Sequence, residues 1–247
     1  MARSLDQRVA LITGAHRGIG RAAALALGEA GATVVAADLQ DPSETAEAIV
    51  QRGGRALAVT TDVADETSVK AVYDVIQTKF RQLDVLVHCA GIIHERPLLE
   101  TSTAEFDRVM AVNLRGTFLV GREAIRTMSL RGEGRVIVIA SDLAYLGRAE
   151  FSPYVASKHG VLGLARSWAL EFAPGILVNA ICPGPIDTAM LDRENMSLEW
   201  RERELDIPLR RFGGPQEVAD MAVFLAGPSA GFITGQGFGV NGGSVMA

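Results

Sequence analysis

The stretch RVALITGAHRGIG (residues 8–20) decides the fold. It opens as a near-continuous apolar, β-branched run. It then passes into the glycine-rich turn TGAHRGIG (13–20), which leads into the amphipathic pattern IGRAAALALGEAG (19–31). Strand, glycine turn and helix in this order suit a phosphate group. The glycines let the backbone turn tightly and approach a pyrophosphate, and the helix N-terminus supplies free amides and a favourable dipole. The spacing of Gly14, Gly18 and Gly20 is G-x-x-x-G-x-G, with Arg17 and Ile19 between them. That is one residue longer than the commonest dinucleotide fingerprint, G-x-G-x-x-G.

Working outward, short β-branched runs alternate with helical patterns almost end to end. ATVVAAD (32–38), RALAVTTD (55–62), LDVLVHCAG (83–91), GRVIVIAS (134–141) and GILVNAICPG (175–184) read as further strands. Their continuous apolarity predicts burial on both faces, as in a parallel sheet. Gln236–Val240 reads as a seventh strand. The helical segments between them predict right-handed βαβ units in a Rossmann-like, doubly wound α/β sheet with helices on both faces. No linker, low-complexity tract or longer repeat interrupts the pattern, so 1–247 reads as one domain. The charged segment 189–213, carrying Met196, Leu198, Trp200 and Leu205, reads as a helical cover over the site, charged outside. The basic pairs Arg201/Arg203 and Arg210/Arg211, interleaved with Glu202, Glu204 and Asp206, read as a solvated helix face.

The second strand ends at Asp38, about 20 residues beyond the glycine loop, where a carboxylate accepts from a ribose 2′-hydroxyl and repels a 2′-phosphate. This favours NAD over NADP; Arg17 points the other way, because a guanidinium pairs with a 2′-phosphate. The 247 residues are 48% hydrophobic with a net charge of −5, which argues against a nucleic-acid partner. No apolar run approaches a membrane span and no Cys/His spacing suggests a metal. Cys89 and Cys182, at the ends of apolar runs, read as buried thiols in a reducing, cytoplasmic setting.

A second stretch, SDLAYLGRAEFSPYVASK (141–158), carries chemistry. Tyr154 and Lys158 are four apart and share one helix face. An ammonium about 4 Å from a phenol, at an effective dielectric of about 20, favours the phenolate by roughly 4 kcal/mol. That predicts a phenol pKa lowered by up to about three units. Ser141 adds a hydroxyl for the same substrate oxygen.

The chain resembles the short-chain dehydrogenase/reductase family, in its single-domain branch. The resemblance rests on TGAHRGIG, TDV (61–63), VNLRG (112–116), Ser141, YVASK (154–158), CPGPIDT (182–188) and ITGQGFGVNGG (233–243) occurring in order. It implies Tyr154 as general acid/base and Lys158 as the group that lowers its pKa and holds the nicotinamide ribose. Ser141 would orient the carbonyl or hydroxyl, and Asn113 would hold a water linking Lys158 to solvent. Asp62 and Val63 would contact adenine, with Ala90 and Gly91 beside the adenosine ribose. Pro183 and Gly184 would shape the turn beneath the nicotinamide, and Ile186 and Thr188 would hold its carboxamide. HCAG (88–91) departs from the family's usual N-N-A-G. Cys89 there predicts a less well-tied strand end, and His88 reads as a core histidine. Leu143, Arg148, Phe151 and Met190, with Asp142, His94 and Pro185, are the candidate substrate contacts; Arg148 could meet an anionic group.

The expected reaction is interconversion of a secondary alcohol and a ketone, with polyol, sugar-derived and cyclic compounds as the candidate substrates. The alternatives are an NADPH-linked 3-oxoacyl-thioester reductase and a non-catalytic dinucleotide-binding protein. The resemblance also implies a homotetramer, and the uncharged end GFGVNGGSVMA (237–247) is odd for a free tail.

Overall fold

A computed structural model describes residues 4–191 and 195–246. Seven strands form one parallel sheet: β1 Val9–Thr13, β2 Thr33–Asp38, β3 Arg55–Thr60, β4 Val85–His88, β5 Gly134–Ile139, β6 Ile176–Pro183 and β7 Gly237–Val240. Their spatial order is β3-β2-β1-β4-β5-β6-β7, and every pairing is parallel. The chain runs outward in one direction from β1 and in the other from β4. A crevice therefore opens beyond the C-terminal ends of these neighbours, where doubly wound sheets bind ligands.

The helices are α1 Gly18–Glu29, α2 Ser43–Gln51, α3 Glu66–Phe80, α4 Thr103–Val109, α5 Gly116–Ser129, α6 Ser152–Phe172, α7 Leu198–Leu205 and α8 Pro215–Ala226. Local chemistry fixes several ends. Asp65 accepts from the Thr67 amide at the start of α3 (2.8 Å), and Ser102 and Glu105 form a reciprocal capping box at α4. Pro153 stands in the first turn of α6, where its missing N–H costs nothing.

Because successive strand residues point to opposite faces, β1 feeds two cores. Val9 and Leu11 pack with α3, α5 and α6, through Val72, Ile76, Val120 and Leu162; Ala10 and Ile12 pack with α1, α2 and α8, through Leu27, Ile49 and Leu225. Each fully buried aliphatic side chain stabilises by about 1.5–3 kcal/mol, so the inner strands are held from both faces. β3 departs from the expected double burial: it is the sheet's terminal strand, with Arg55 and Thr60 exposed and its middle half-buried. No helix among the described residues is long and apolar enough to cross a membrane.

Candidate active site

The glycine loop leaves β1 at Thr13. Gly14 has φ +69°, and a Cβ there would lie 2.8 Å from the Ala90 backbone nitrogen; a Cβ on Gly20 would lie 2.0 Å from the Gly14 carbonyl oxygen. Strand, loop and helix are thus packed backbone against backbone. At the N-cap of α1, Arg17 is extended (φ −151°). No side chain caps the first turn, and that turn carries no acidic residue. Its amides and dipole are left facing the crevice, an arrangement fitted to an anion.

At the end of β2, the Asp38 carboxylate accepts from the amides of His16 (3.0 Å) and Gln40 (2.9 Å). It is thereby fixed at the crevice rim. The Asp62 carboxylate accepts from the Ala64 amide (2.8 Å) and its own amide donates to Ser68 (2.9 Å), while Val63 packs under Gly116. On the far side Gly184 is pressed onto Asn241, where a Cβ would meet its Cα at 2.8 Å. Ile186 pairs with Gly213. The end of β4 is well tied despite Cys89. Thr13 accepts from the amides of Cys89 (carbonyl and hydroxyl, both 3.2 Å) and Ala90 (3.3 Å), and its hydroxyl bonds His88 Nδ1 (2.8 Å). His88 is a buried core residue, its pKa pushed down to about 3 by burial and the nearby Lys158. Cys182 is fully buried, whereas Cys89 is half-buried at the cavity wall; burial pushes their thiols up to about 11 and 12.

One cavity of about 950 Å³ is lined by Gly14, Arg17, Gly18, Ile19, Gly20, Asp38, Asp62, Val63, Ala90, Gly91, Pro183, Gly184, Ile186 and Thr188. The same cavity is lined by Ser141, Leu143, Arg148, Phe151, Tyr154, Lys158 and Met190. It is large enough for a dinucleotide cofactor beside a small substrate. With the uncapped helix and the backbone-close glycines, these residues fit a nicotinamide dinucleotide.

Asn113 stands just behind the lining. It lies in a π-helical turn, Met110–Arg115, between α4 and α5. Its amide clamps Ile92 at both backbone groups, accepting from the N–H (2.8 Å) and donating to the C=O (2.9 Å), and it also donates to the Ser157 hydroxyl (3.1 Å). A Cβ at Gly91 would sit 3.3 Å from Asn113 Oδ1 and 3.7 Å from Lys158 Nζ, so both side chains pack close to that glycine.

Ser141 follows β5 by two residues, and the first two turns of α6 bring up Tyr154 and Lys158. The Ser141 hydroxyl contacts the Tyr154 phenol. Lys158 is buried and donates to the Ile139 carbonyl (2.8 Å), with Nζ 5.6 Å from the Tyr154 ring centroid. The structure corrects the expected depression of the phenol. The ammonium lies near the ring and is directed at a carbonyl. Burial, together with the Asp142 charge, outweighs the Ser141 contact and pushes Tyr154 up to about 12. Burial pulls Lys158 down to about 8. At neutral pH the site thus holds a neutral phenol beside a lysine that is mostly charged, an acid ready to donate.

At one end of the cavity α7 contributes Trp200 and Glu204 to the lining. Arg148 is not free to greet an anion: its guanidinium pairs with Glu204 and lies 5.1 Å from the ring centroids of both Phe151 and Trp200. Phe151 in turn packs edge-on to Tyr154 (6.4 Å). The solvated-face reading of this segment therefore fails at Glu204, which is buried, while Leu198 of the same segment is 79% exposed. His94 does not line the cavity. Its Nε2 is buried without a hydrogen-bond partner among the described residues. Glu95, Trp200 and Glu204 line the pocket but were absent from the candidate substrate contacts. Asp192, Arg193 and Glu194, within the expected cover, lie outside the described residues.

A family model described as enoyl-(acyl carrier protein) reductase matches residues 14–245. The chain is 40% identical, over 98% of each chain, to a cis-4-hydroxycyclohexanecarboxylate dehydrogenase of Sinomonas cyclohexanicum. It is 41% identical, over 96% of this chain and 98% of the other, to a 3-oxoacyl-[acyl-carrier-protein] reductase of Staphylococcus aureus. A protein assigned as a 2-deoxy-D-gluconate 3-dehydrogenase of Agrobacterium tumefaciens, solved with NADP bound, superposes with a TM-score of 0.91. It is 37% identical, over 98% of this chain and 97% of that one.

Proposed function

The chain belongs to the short-chain dehydrogenase/reductase family and is a nicotinamide-dependent oxidoreductase acting on CH–OH groups; on that premise we propose that it interconverts a cyclic or polyol-like secondary alcohol and its ketone, using NAD(H). The observation that carries this reading is the convergence, on one cavity, of the uncapped α1 N-terminus, the fixed Asp38 carboxylate and the Ser141–Tyr154–Lys158 set.

The nicotinamide group supplies the hydride donor or acceptor when bound. The loop glycines and the α1 amides hold its pyrophosphate, Asp38 accepts from the adenosine ribose, and Asp62 and Val63 flank the adenine. Ala90 and Gly91 let the backbone close on the ribose, and Pro183, Gly184, Ile186 and Thr188 hold the nicotinamide end. In reduction, Tyr154 gives its phenolic proton to the substrate oxygen as negative charge develops there. Ser141 steadies the same oxygen. Lys158 stabilises the resulting phenolate, and Asn113, beside it, completes the proton route to solvent through a water. In oxidation the same groups run in reverse.

Asp38 favours NAD(H), because a 2′-phosphate would meet a carboxylate already fixed by two amides. The relative named for cis-4-hydroxycyclohexanecarboxylate supports a cyclic alcohol, as does the apolar wall of Leu143, Phe151, Met190 and Trp200. The relatives named for 3-oxoacyl-carrier-protein reduction favour a second reading, a thioester-linked ketone. Separate NADH and NADPH titrations, followed by a panel of cyclohexanols, aldonates and 3-oxoacyl thioesters read by cofactor absorbance, test these readings. Turnover of the thioesters with NADPH alone would replace the first reading by the second.

The same proposal takes 1–247 as one catalytic domain with 189–213 covering the substrate, in a cytoplasmic homotetramer. An apolar groove lined by Met110, Leu114, Phe118, Gly160 and Leu164, together with the fully exposed Phe232, supports burial against further copies. Sedimentation at micromolar concentration tests the assembly; a monomer there sinks it.

A further inference from the structure

Five side chains of the cavity wall interlock: Tyr154, Phe151, Trp200, Arg148 and Glu204. Arg148 donates to Glu204 Oε1, and its guanidinium carbon lies 5.1 Å from the ring centroids of both Phe151 and Trp200. The two rings pack on each other at 6.0 Å, and Phe151 packs edge-on to Tyr154 at 6.4 Å. A substrate that reaches past Phe151 from Tyr154 therefore meets the ion pair. Glu204 is the buried residue of α7, and the Arg148 side chain is only 17% exposed. In a pair this far from water, taking away one partner strands the other charge.

A carboxylate entering the cavity gains little from Arg148. The guanidinium charge is already neutralised. To reach it the newcomer must shed its own water, displace Glu204, and leave the Glu204 carboxylate buried, unpaired and close to a like charge. A neutral alcohol meets none of these costs, and it finds apolar bodies in Leu143, Phe151, Met190 and Trp200. Beyond the cofactor residues, the rest of the charged lining does not offset this. Glu95 and Asp142 add carboxylates, Lys158 is turned to the Ile139 carbonyl, and Arg108 on α4 is exposed, its charge shared with water.

We propose that Glu204 is a specificity-determining residue: by holding Arg148, it makes the cavity select neutral cyclic or polyol-like alcohols against those that carry a carboxylate. This rests on the reading above, that a secondary alcohol reacts at Tyr154, and narrows it to uncharged substrates.

Two probes of one shape, cyclohexanecarboxylate and cyclohexanecarboxamide, separate charge from fit. Each is titrated calorimetrically, at neutral pH and fixed salt, into full-length wild type, Glu204→Gln, Arg148→Met and the double variant, loaded with whichever of NADH and NADPH binds. Wild type should favour the carboxamide, and so should Arg148→Met. Glu204→Gln frees the Arg148 charge for a charge-assisted hydrogen bond, so the carboxylate should tighten at least about tenfold while the carboxamide does not. Adding Arg148→Met should remove that gain. An unchanged carboxylate affinity in Glu204→Gln overturns the proposal, as does a wild type that prefers the carboxylate. A gain shared by both probes overturns it too, as the mark of altered fit; so does a gain that survives in the double variant, the mark of Arg108 or another cation. If Glu204→Gln does not fold, Glu204→Ser removes the same charge and is read the same way. Oxidation of cyclohexanol and of its 4-carboxylate is measured alongside. Failure of wild type to oxidise any alcohol would count against the function proposed above, while the titrations still decide the role of Glu204.

Discussion

Replacing each glycine of the loop by alanine, one at a time, should give a graded series set by two separable costs. At Gly18 an added Cβ meets only Thr188 Cγ2, at 3.5 Å, so the cost is the left-handed backbone (φ +58°) alone. That is about 1–2 kcal/mol, or a fall in Tm of roughly 2–6 °C for a chain of this size. At Gly14 the same backbone cost (φ +69°) is joined by a contact of 2.8 Å to the Ala90 nitrogen, which a flexible side chain cannot relieve. At Gly20 the backbone is helical, yet the new Cβ would stand 2.0 Å from the Gly14 carbonyl oxygen. A comfortable non-bonded distance is about 3.5 Å, so the loop and α1 must part by about 1.5 Å. Overpacking of this kind costs about 1–3 kcal/mol or more, and it displaces the amides aimed at the cofactor. Stability should therefore fall in the order Gly18, then Gly14, then Gly20. NADH affinity should drop at least about tenfold, or 1.4 kcal/mol, for Gly20→Ala and much less for Gly18→Ala. Thermal melts and fluorescence titration with NADH read both. Equal effects at Gly18 and Gly20 would refute the close packing on which the cofactor assignment leans.

Three further outcomes are expected. Ketone reduction needs a protonated Tyr154 and a charged Lys158, so it should be flat at neutral pH and fall above about 8, where Lys158 loses its proton; alcohol oxidation needs the phenolate and should peak at least about one unit higher. Coincident or reversed optima would contradict this. Asp38→Ser should raise the NADPH-to-NADH preference at least about tenfold in kcat/KM, since a like-charge contact costs several kcal/mol; an unchanged ratio would leave Asp38 without its assigned role. Glu204→Gln leaves Arg148 largely buried between two rings without its partner, and should cost about 2–3 kcal/mol, less than a fully buried pair because both groups retain some exposure. Substrate KM should rise while NADH affinity holds, and a matching loss of NADH affinity would point to global damage instead.

The fold was legible because the apolar runs are long enough to be buried twice and are punctuated by glycine. The exception, β3, reads as apolar as its neighbours, and only its place at the sheet edge exposes it. The cofactor end was legible for the same local reason: Gly14, Gly20 and Asp38 act through backbone geometry at strand ends. The substrate end was not. In LEWREREL (198–205) Glu204 is one charge among several, and the docking of α7 onto Phe151 is what buries it against Arg148. Asn113 sits in a pattern that reads as ordinary helix, and the π-helical turn that carries it has no signal in composition. For Tyr154, the four-residue spacing predicts nearness to Lys158. It predicts neither the burial that pushes the phenol up nor that the ammonium aims at the Ile139 carbonyl.

The most direct test of the central claim is Tyr154→Phe, which removes one oxygen and keeps the ring against Phe151. NADH should bind within about threefold of wild type, since a change below 1.4 kcal/mol is less than tenfold. Turnover of any alcohol the wild type oxidises should fall by about 10²–10⁴. A variant that keeps more than about a tenth of the wild-type rate would contradict the assignment of Tyr154 as the group that moves the proton.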